Sequence, residues 1–228
     1  MKCSSLPAKA DTALQNKYYS ETLHPLMKKA ESGDIVLLFG DASHFVMGCD
    51  FLGYIYSSTR RFIKTFSGRK RYNVLGVLDY ISKKVVTVTN DSYITATEVC
   101  LLLHKIAESY SGKEIHLVLD NARYQKCHDV QDLAKELNIV LEYLPPYSPN
   151  LNLIERLWKY VKGELRSKYY DDFSAFQEKI DNIIDSTASD NRDKIDRLIG
   201  EKVELYDDLR QVAENTFIYN DRQEKLAA

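Results

Sequence analysis

The sequence predicts an α/β protein, a mixed sheet with helices on its faces. Short apolar runs rich in Ile, Val, Leu and Phe (DIVLLFG, EIHLVL) have the length and composition of buried strands. Longer segments repeat their apolar residues every three or four positions, as amphipathic helices do. The order is a run of strands, then helix, strand, helix, strand, helix, which is the pattern of a sheet flanked by helices. At 228 residues the chain is long enough for one well-buried domain.

In chain order, Met1 to Ser20 reads as a polar, loosely tethered lead-in. Glu21 to Ser32 reads as a short helix that Gly33 ends. Asp34 to Gly40 is the first strand, and Asp41 stands just past its C-terminal end. Phe51 to Ser57, Tyr72 to Tyr80 and Lys84 to Asn90 are further strands. The last two are joined by the turn Ile81-Ser82-Lys83, and the alternation in VVTVTN suits a half-buried edge. Thr95 to Ser109 is a helix with Val99, Leu102, Leu103 and Ile106 on its inner face. Glu114 to Leu119 is a strand that runs into Asp120, Asp129 to Leu137 a helix, and Ile139 to Leu144 a strand.

Pro145, Pro146 and Pro149 then hold the backbone out of helical conformation. Beyond them Leu151, Ile154, Trp158, Val161 and Leu165 form the buried stripe of a helix that carries Glu155 on its second turn. Asp171 to Ile184 and Lys194 to Asn215 read as two more helices, both acidic. The division is a lead-in over 1–33, a catalytic domain over 34–169 and a helical extension over 170–228.

Composition narrows the function. No run of eighteen apolar residues suggests a membrane span, and Met1 to Glu21 lacks the apolar core of a signal peptide. Cys3, Cys49, Cys100 and Cys127 form no CxxC pair, and the five histidines include no HExxH. Cys127 and His128, though adjacent, read as structural. The net charge of −2 hides an asymmetry. No Asp or Glu occurs from Phe51 through Leu78, and Arg60, Arg61, Lys64, Arg69, Lys70 and Arg71 all fall within twelve residues. From Lys168 onward fifteen acids face nine bases. A local basic stripe on a near-neutral chain suits phosphate binding, and equally a solvated hairpin.

Asp41 and Asp120 share one context, each following an apolar strand. On neighbouring strands they would project from the carboxyl edge of the sheet, where open α/β sheets bind ligands. Glu155 reaches that edge if its helix packs across the sheet. Three crowded carboxylates repel, and a hard divalent cation relieves the repulsion. Two such ions are a general device for phosphodiester cleavage. The plainer alternatives are an Asp that forms a turn or caps a helix, and a Glu155 that pairs with Lys159 at i+4. Asp50, Asp79 and Asp91 also lie near strand ends, and His44 has the look of a turn residue.

The segments LLFGDASHFV, LVLDNARYQKC and LPPYSPNLNLIERLWKYVK resemble the catalytic blocks of DDE transposases, in particular those of the mariner-like bacterial insertion sequences of the IS-six-thirty group. Thirty-four residues separate the last two acids there, and Asn121 through Ile154 is also thirty-four. The resemblance covers about Asp34 to Tyr169, including TRRFIKTFSGRKRYNVLG and VTVTND. It implies a ribonuclease-H-like fold and metal-dependent cleavage and joining of DNA strands in transposition. Asp41, Asp120 and Glu155 would be the catalytic, metal-binding acids, holding Mg²⁺ or Mn²⁺, two ions in all. Asn121 would stand beside them without binding metal. Arg60, Arg61, Lys64, Arg69, Lys70, Arg71, Lys159 and Lys162 would contact the DNA backbone.

Position 42 is Ala where many relatives carry an acid, and position 124 is Tyr where others carry His. The thirty-three residues ahead of Asp34 are too few for a helix-turn-helix domain, so end recognition would fall to a separate polypeptide or an upstream segment. A homodimer acting in the bacterial cytoplasm, on the nucleoid, is the expected state. The alternatives are a stand-alone metal-dependent endonuclease and a non-catalytic DNA-binding remnant.

Overall fold

The structure is a computed structural model that describes residues 7, 9–48, 68–166, 168–200, 203 and 205. The strand expected over 51–57, the basic residues Arg60, Arg61 and Lys64, and most of the helix expected over 194–215 lie outside the described residues.

The lead-in is helical where a loose segment was expected. Asp11 accepts a hydrogen bond from the Leu14 amide at 3.0 Å and starts α1, Thr12–Tyr18. A wider π turn, Tyr19–Leu23, joins it to α2, His24–Ser32. The wide turn sits just ahead of Pro25, which has no N–H to bond back to Glu21. Gly33, at φ 84°, closes α2.

Five strands follow: β1 Val36–Met47, β2 Lys70–Asp79, β3 Val85–Asn90, β4 Ile115–Leu119 and β5 Ile139–Tyr143. Helix α3, Ala96–Ser109, connects β3 to β4, and α4, His128–Glu136, connects β4 to β5. Helices α5, Ile154–Glu164, α6, Phe173–Asp185, and α7, Arg192–Ile199, complete the described chain. The sheet order is β3-β2-β1-β4-β5, with β1, β4 and β5 parallel and β2 and β3 antiparallel to their neighbours. The VVTVTN strand is therefore an edge, with Val86 and Val88 turned inward at period two.

One expectation is corrected here. The apolar run stops at Gly40, but the strand does not. Pairing with β4 ends at Phe39↔Val118, while pairing with β2 continues from Leu38↔Asp79 to Met47↔Lys70. Asp41 thus lies inside β1, opposite Gly76. The change in composition marks the loss of one neighbouring strand, which lets water reach that stretch of β1.

The sheet buries both faces. Leu37, Phe39, Phe45, Val74, Leu78 and Val118 point toward α2, α5, α6 and α7. Val36, Leu38, Leu75, Val77, Leu117 and Leu119 point toward α3 and α4. The period-two alternation decides which side each strand residue serves. Helices α6 and α7, though acidic, bury Phe176, Ile180, Ile183, Ile184, Ile195 and Ile199 in the same core as Trp158. They are also tied to the β2–β3 turn, where Thr187 Oγ1 donates to the Lys83 carbonyl at 3.0 Å and Arg192 to the carbonyls of Ile81 and Ser82.

Candidate active site

The β1–β4 register brings the first two acids together. Pairing runs in step from Val36↔Ile115 to Phe39↔Val118, and two more residues bring each strand to its aspartate. Asp41 and Asp120 therefore each stand two residues past the last β1–β4 pair, on chains that run adjacent and parallel up to that point. Both are an even step beyond a residue of the α5-side core, Phe39 and Val118, so they share the face that α5 covers.

The third acid arrives from above that face. Residues Pro149–Leu151 make one 3₁₀ turn, and α5 begins at Ile154, so Glu155 is on the first helical turn and not the second. The helix is held over β1 by its buried stripe Ile154, Leu157, Trp158 and Val161. Gly76 leaves room for the Trp158 ring: a Cβ there would stand 3.0 Å from Cη2. Asn152, just ahead of the helix, donates from Nδ2 to the Gly40 carbonyl at 3.0 Å. One buried amide therefore links the residue before Asp41 to the turn that launches Glu155. Sequence reasoning missed Asn152, which there looks like an ordinary residue ahead of a helix.

Electrostatics confirm that the carboxylates sense one another. Burial pushes the Asp41 carboxyl up to about 7, helped by the negative charges of Glu155 and Asp120. The Ala42 amide and the Trp158 indole oppose that shift. The indole Nε1 stands near the carboxylate without making a hydrogen bond of ordinary geometry. Glu155 is also raised, by the surrounding protein and by Asp120, with Lys162 pulling the other way. Its side chain is solvent-exposed all the same, which leaves it open to a ligand. Tyr124 is pushed up to about 12 by burial and by Asp120 and Asp41.

Asp120 does two things at once. Its Oδ1 accepts from the Ala122 amide at 3.1 Å, the turn-forming role that any aspartate after a strand can take. It also lines a cavity of about 410 Å³ with Asn121, Glu155 and the proline loop 145–149. Asn121 donates from Nδ2 to the Leu144 carbonyl and accepts from Lys126, tying the tip of β4 to the start of that loop. The i+4 pair between Glu155 and Lys159, the plainer alternative, is absent from the ion pairs among the described residues.

A hard divalent cation fits the chemistry of this donor set: three carboxylates, half-buried or exposed, with an excess of negative charge. Among the described residues no three acidic, His or Cys side chains stand close enough to share one ion as they are placed. The fit lies in donor type and mutual charge. Cys127 does not join a ligand set; its thiol donates to the Tyr124 carbonyl at 3.5 Å.

Of the expected DNA contacts, Arg69, Lys70 and Arg71 are exposed at the start of β2, opposite the far end of β1. Lys70 and Asp41 lie six strand positions apart, about 20 Å along the sheet. Lys159 is exposed on α5, and Lys162 lies over the Phe45 ring, 5.7 Å from its centroid. The described cations thus extend from the acids along α5 and the β1–β2 ribbon.

The family model described as DDE superfamily endonuclease matches residues 36–177, which include all three acids. The chain belongs to this family. Among solved structures, this DDE enzyme resembles the Mos1 transposase in its paired-end complex with left transposon end, with TM-score 0.61 and 14% identity over 90% of this chain and 67% of that one. It is also similar to the catalytic domain of Mos1 mariner transposase, with TM-score 0.56, 16% identity, and coverage of 86% and 91%. A third similar structure is the Mos1 strand transfer complex, with TM-score 0.59, 16% identity, and coverage of 87% and 61%. The chain thus spans about two thirds of the longer transposase chains it matches. At these identities the likeness is one of fold, and it confirms the ribonuclease-H-like architecture. No curated protein sequence matches significantly. Among the described residues no helix is long and apolar enough to cross a membrane.

Proposed function

We propose that this DDE endonuclease cuts and rejoins DNA strands during transposition of an insertion sequence, with Asp41, Asp120 and Glu155 as its metal-binding catalytic acids. The observation that carries the reading is the placement of Asp41 and Asp120 each two residues past the last β1–β4 pair, with the Asp41 carboxyl raised by burial and by the charges of Glu155 and Asp120. Mos1 mariner structures hold Mn or Mg in paired-end complexes, which supports the same choice of ion here. Two Mg²⁺ or Mn²⁺ ions would polarise the scissile phosphate and offset the charge that develops on its oxygens.

The chain's own residues supply the frame. Asp41 and Asp120 hold their carboxylates at a fixed strand spacing, and Asn152 sets α5 against β1 so that Glu155 faces them. Asn121 keeps the tip of β4 against the proline loop. Arg69, Lys70, Arg71, Lys159 and Lys162 supply positive charge for a DNA backbone without selecting bases, and Arg60, Arg61 and Lys64 extend the same basic segment. In the first reaction water attacks the phosphodiester at the element's end, leaving a 3′-hydroxyl and a 5′-phosphate. In the second, that hydroxyl attacks a phosphodiester of target DNA, joining one strand and displacing another 3′-hydroxyl. The chain would act on bacterial chromosomal DNA in the cytoplasm as a homodimer, with element ends recognised by a helix-turn-helix polypeptide or segment.

Plasmid nicking in Mg²⁺ or Mn²⁺ tests the assignment. Asp120→Asn keeps the acceptor for the Ala122 amide and removes the charge, so the variant should fold normally and lose nicking. Wild-type nicking by Asp120→Asn removes that residue from the mechanism. Incubating pre-cleaved ends with a plasmid separates the readings: joined products support a transposase, and hydrolysis alone supports a stand-alone nuclease.

A further inference from the structure

The cavity beside the acids has one wall whose construction the cleavage reaction does not explain. Tyr147, in the middle of the PPYSPN loop, has a φ of 57°, a conformation that residues with a Cβ adopt rarely. The residue is 53% exposed and belongs to neither apolar core. Among the described residues the ring adds nothing to either apolar core, and glycine would hold the same backbone more easily. Backbone strain beside the candidate site, in a residue outside both apolar cores, points to a task outside the fold.

The loop is also fixed from a distance. Gln15 of α1 is 1% exposed, and its Nε2 donates to the Tyr147 carbonyl at 3.3 Å. The Oε1 of the same amide accepts from Asn150 Nδ2 at 3.1 Å. One buried glutamine from the lead-in thus grips both sides of the turn that presents the tyrosine. The Lys9 ammonium stands over the ring, 5.9 Å from its centroid, adding positive charge beside it. Asp120 and Glu155 line the same cavity.

An exposed aromatic ring, a neighbouring cation and a partly apolar cleft of this size suit the flat face of a nucleobase, with the cation near its phosphate. A base pair in a duplex has no free face to offer within so small a cleft. We propose that Tyr147 stacks against an unpaired base next to the scissile phosphate, and that Gln15 is the positioning residue that holds the ring there. The proposal rests on the DNA-cleaving function above, and it assigns a binding task to a loop residue and a helix that the three acids leave unused.

The test uses the full chain, Ca²⁺ in place of Mg²⁺, and a DNA duplex with a short single-stranded extension carrying 2-aminopurine. Stacking on Tyr147 should quench the 2-aminopurine fluorescence. Tyr147→Phe should keep the quenching, because the ring face acts and the hydroxyl does not. Tyr147→Gly should lose it and weaken binding by roughly 5- to 150-fold, the value of one aromatic–base contact. The melting temperature of Tyr147→Gly should not fall, since glycine relaxes the backbone. Gln15→Ala should reduce the quenching while leaving the tyrosine in the chain. Quenching and affinity at wild-type level in Tyr147→Gly overturn the proposal, as does a loss of binding matched by a loss of folding. A wild type that quenches yet nicks no plasmid in Mg²⁺ sinks the nuclease reading and supports the stacking contact. One that nicks without quenching sinks the stacking contact alone.

Discussion

Two places in the same sheet each carry an aspartate where a strand gives out, and the two carboxylates meet different surroundings. At the β2–β3 turn, Asp79 Oδ1 accepts from the amides of Ile81 at 2.8 Å and Ser82 at 2.9 Å, and the residue is 7% exposed. Its charge is spent on its own turn. At the β1–β4 end, Asp120 makes one such bond, to Ala122, and also lines an open cavity. Asp41 on the neighbouring strand is pushed up to about 7 by burial and by other acids. Position after a strand is shared, so it cannot be what makes a carboxylate functional. What sets the Asp41 and Asp120 end apart is neighbouring negative charge and an open cavity.

Substitution at the two ends should separate these uses. The largest effect is expected for Asp120→Asn in the nicking assay, a loss of about a thousandfold or more if each acid contributes several kcal/mol through the metal. Asp79→Ala should act the other way round. Leaving two turn amides without their acceptor costs about 1–3 kcal/mol of stability, read from a denaturant midpoint. Nicking per folded molecule should stay at the wild-type level. A comparable loss of nicking in both variants would erase the distinction between the two ends.

Much of this contrast could be read before any coordinates, because it depends on local pattern. The apolar runs gave the strands, and the spacing of Leu151, Ile154, Trp158, Val161 and Leu165 gave the helix that carries Glu155. What was not legible depends on neighbours. Asp41 looked terminal because the apolar run ends where β4 stops pairing, and no residue of β1 itself records which strands lie beside it. Helix α1 looked like a loose tether because TALQNKY carries no apolar stripe; its anchor is the buried amide of Gln15, reaching a residue 132 positions away. Asn152 was passed over for the same reason, since its partner, the Gly40 carbonyl, is 112 positions distant. The acids of α6 and α7 drew attention from the isoleucines that bury those helices against α5.

The contrast also has a signature in pH. The Asp41 carboxyl in the folded protein titrates near 7, well above its value of 3.8 in an unfolded chain. A raised carboxyl favours the folded state fully below the unfolded value, and that contribution is lost as pH rises through about 7. Metal-free protein should therefore lose melting temperature between about pH 4 and pH 7, and Asp41→Asn should flatten that slope. Mg²⁺ should raise the melting temperature more at pH 8 than at pH 6, because the cation offsets charge that is present only after Asp41 ionises. An unchanged slope in Asp41→Asn would mean that the charges at this end are not coupled as described.

The smallest expected effect comes from the opposite face of the sheet and sharpens the comparison by being silent in activity. Thr95 starts α3 with a reciprocal pair of bonds: its hydroxyl oxygen accepts from the Thr97 amide at 3.3 Å, and Glu98 accepts from the Thr95 amide at 2.7 Å. Helix α3 packs on the side of the sheet away from the acids, through Val99, Leu102, Leu103 and Ile106. Thr95→Ala removes the cap and should cost about 1 kcal/mol, seen as a lower denaturant midpoint with an unchanged slope. Because the packed sheet separates this helix from the cavity, nicking and Mg²⁺ dependence should match the wild type. A Thr95→Ala protein whose metal requirement shifts would show that the two faces communicate, and that the α3 side helps set the spacing of Asp41 and Asp120.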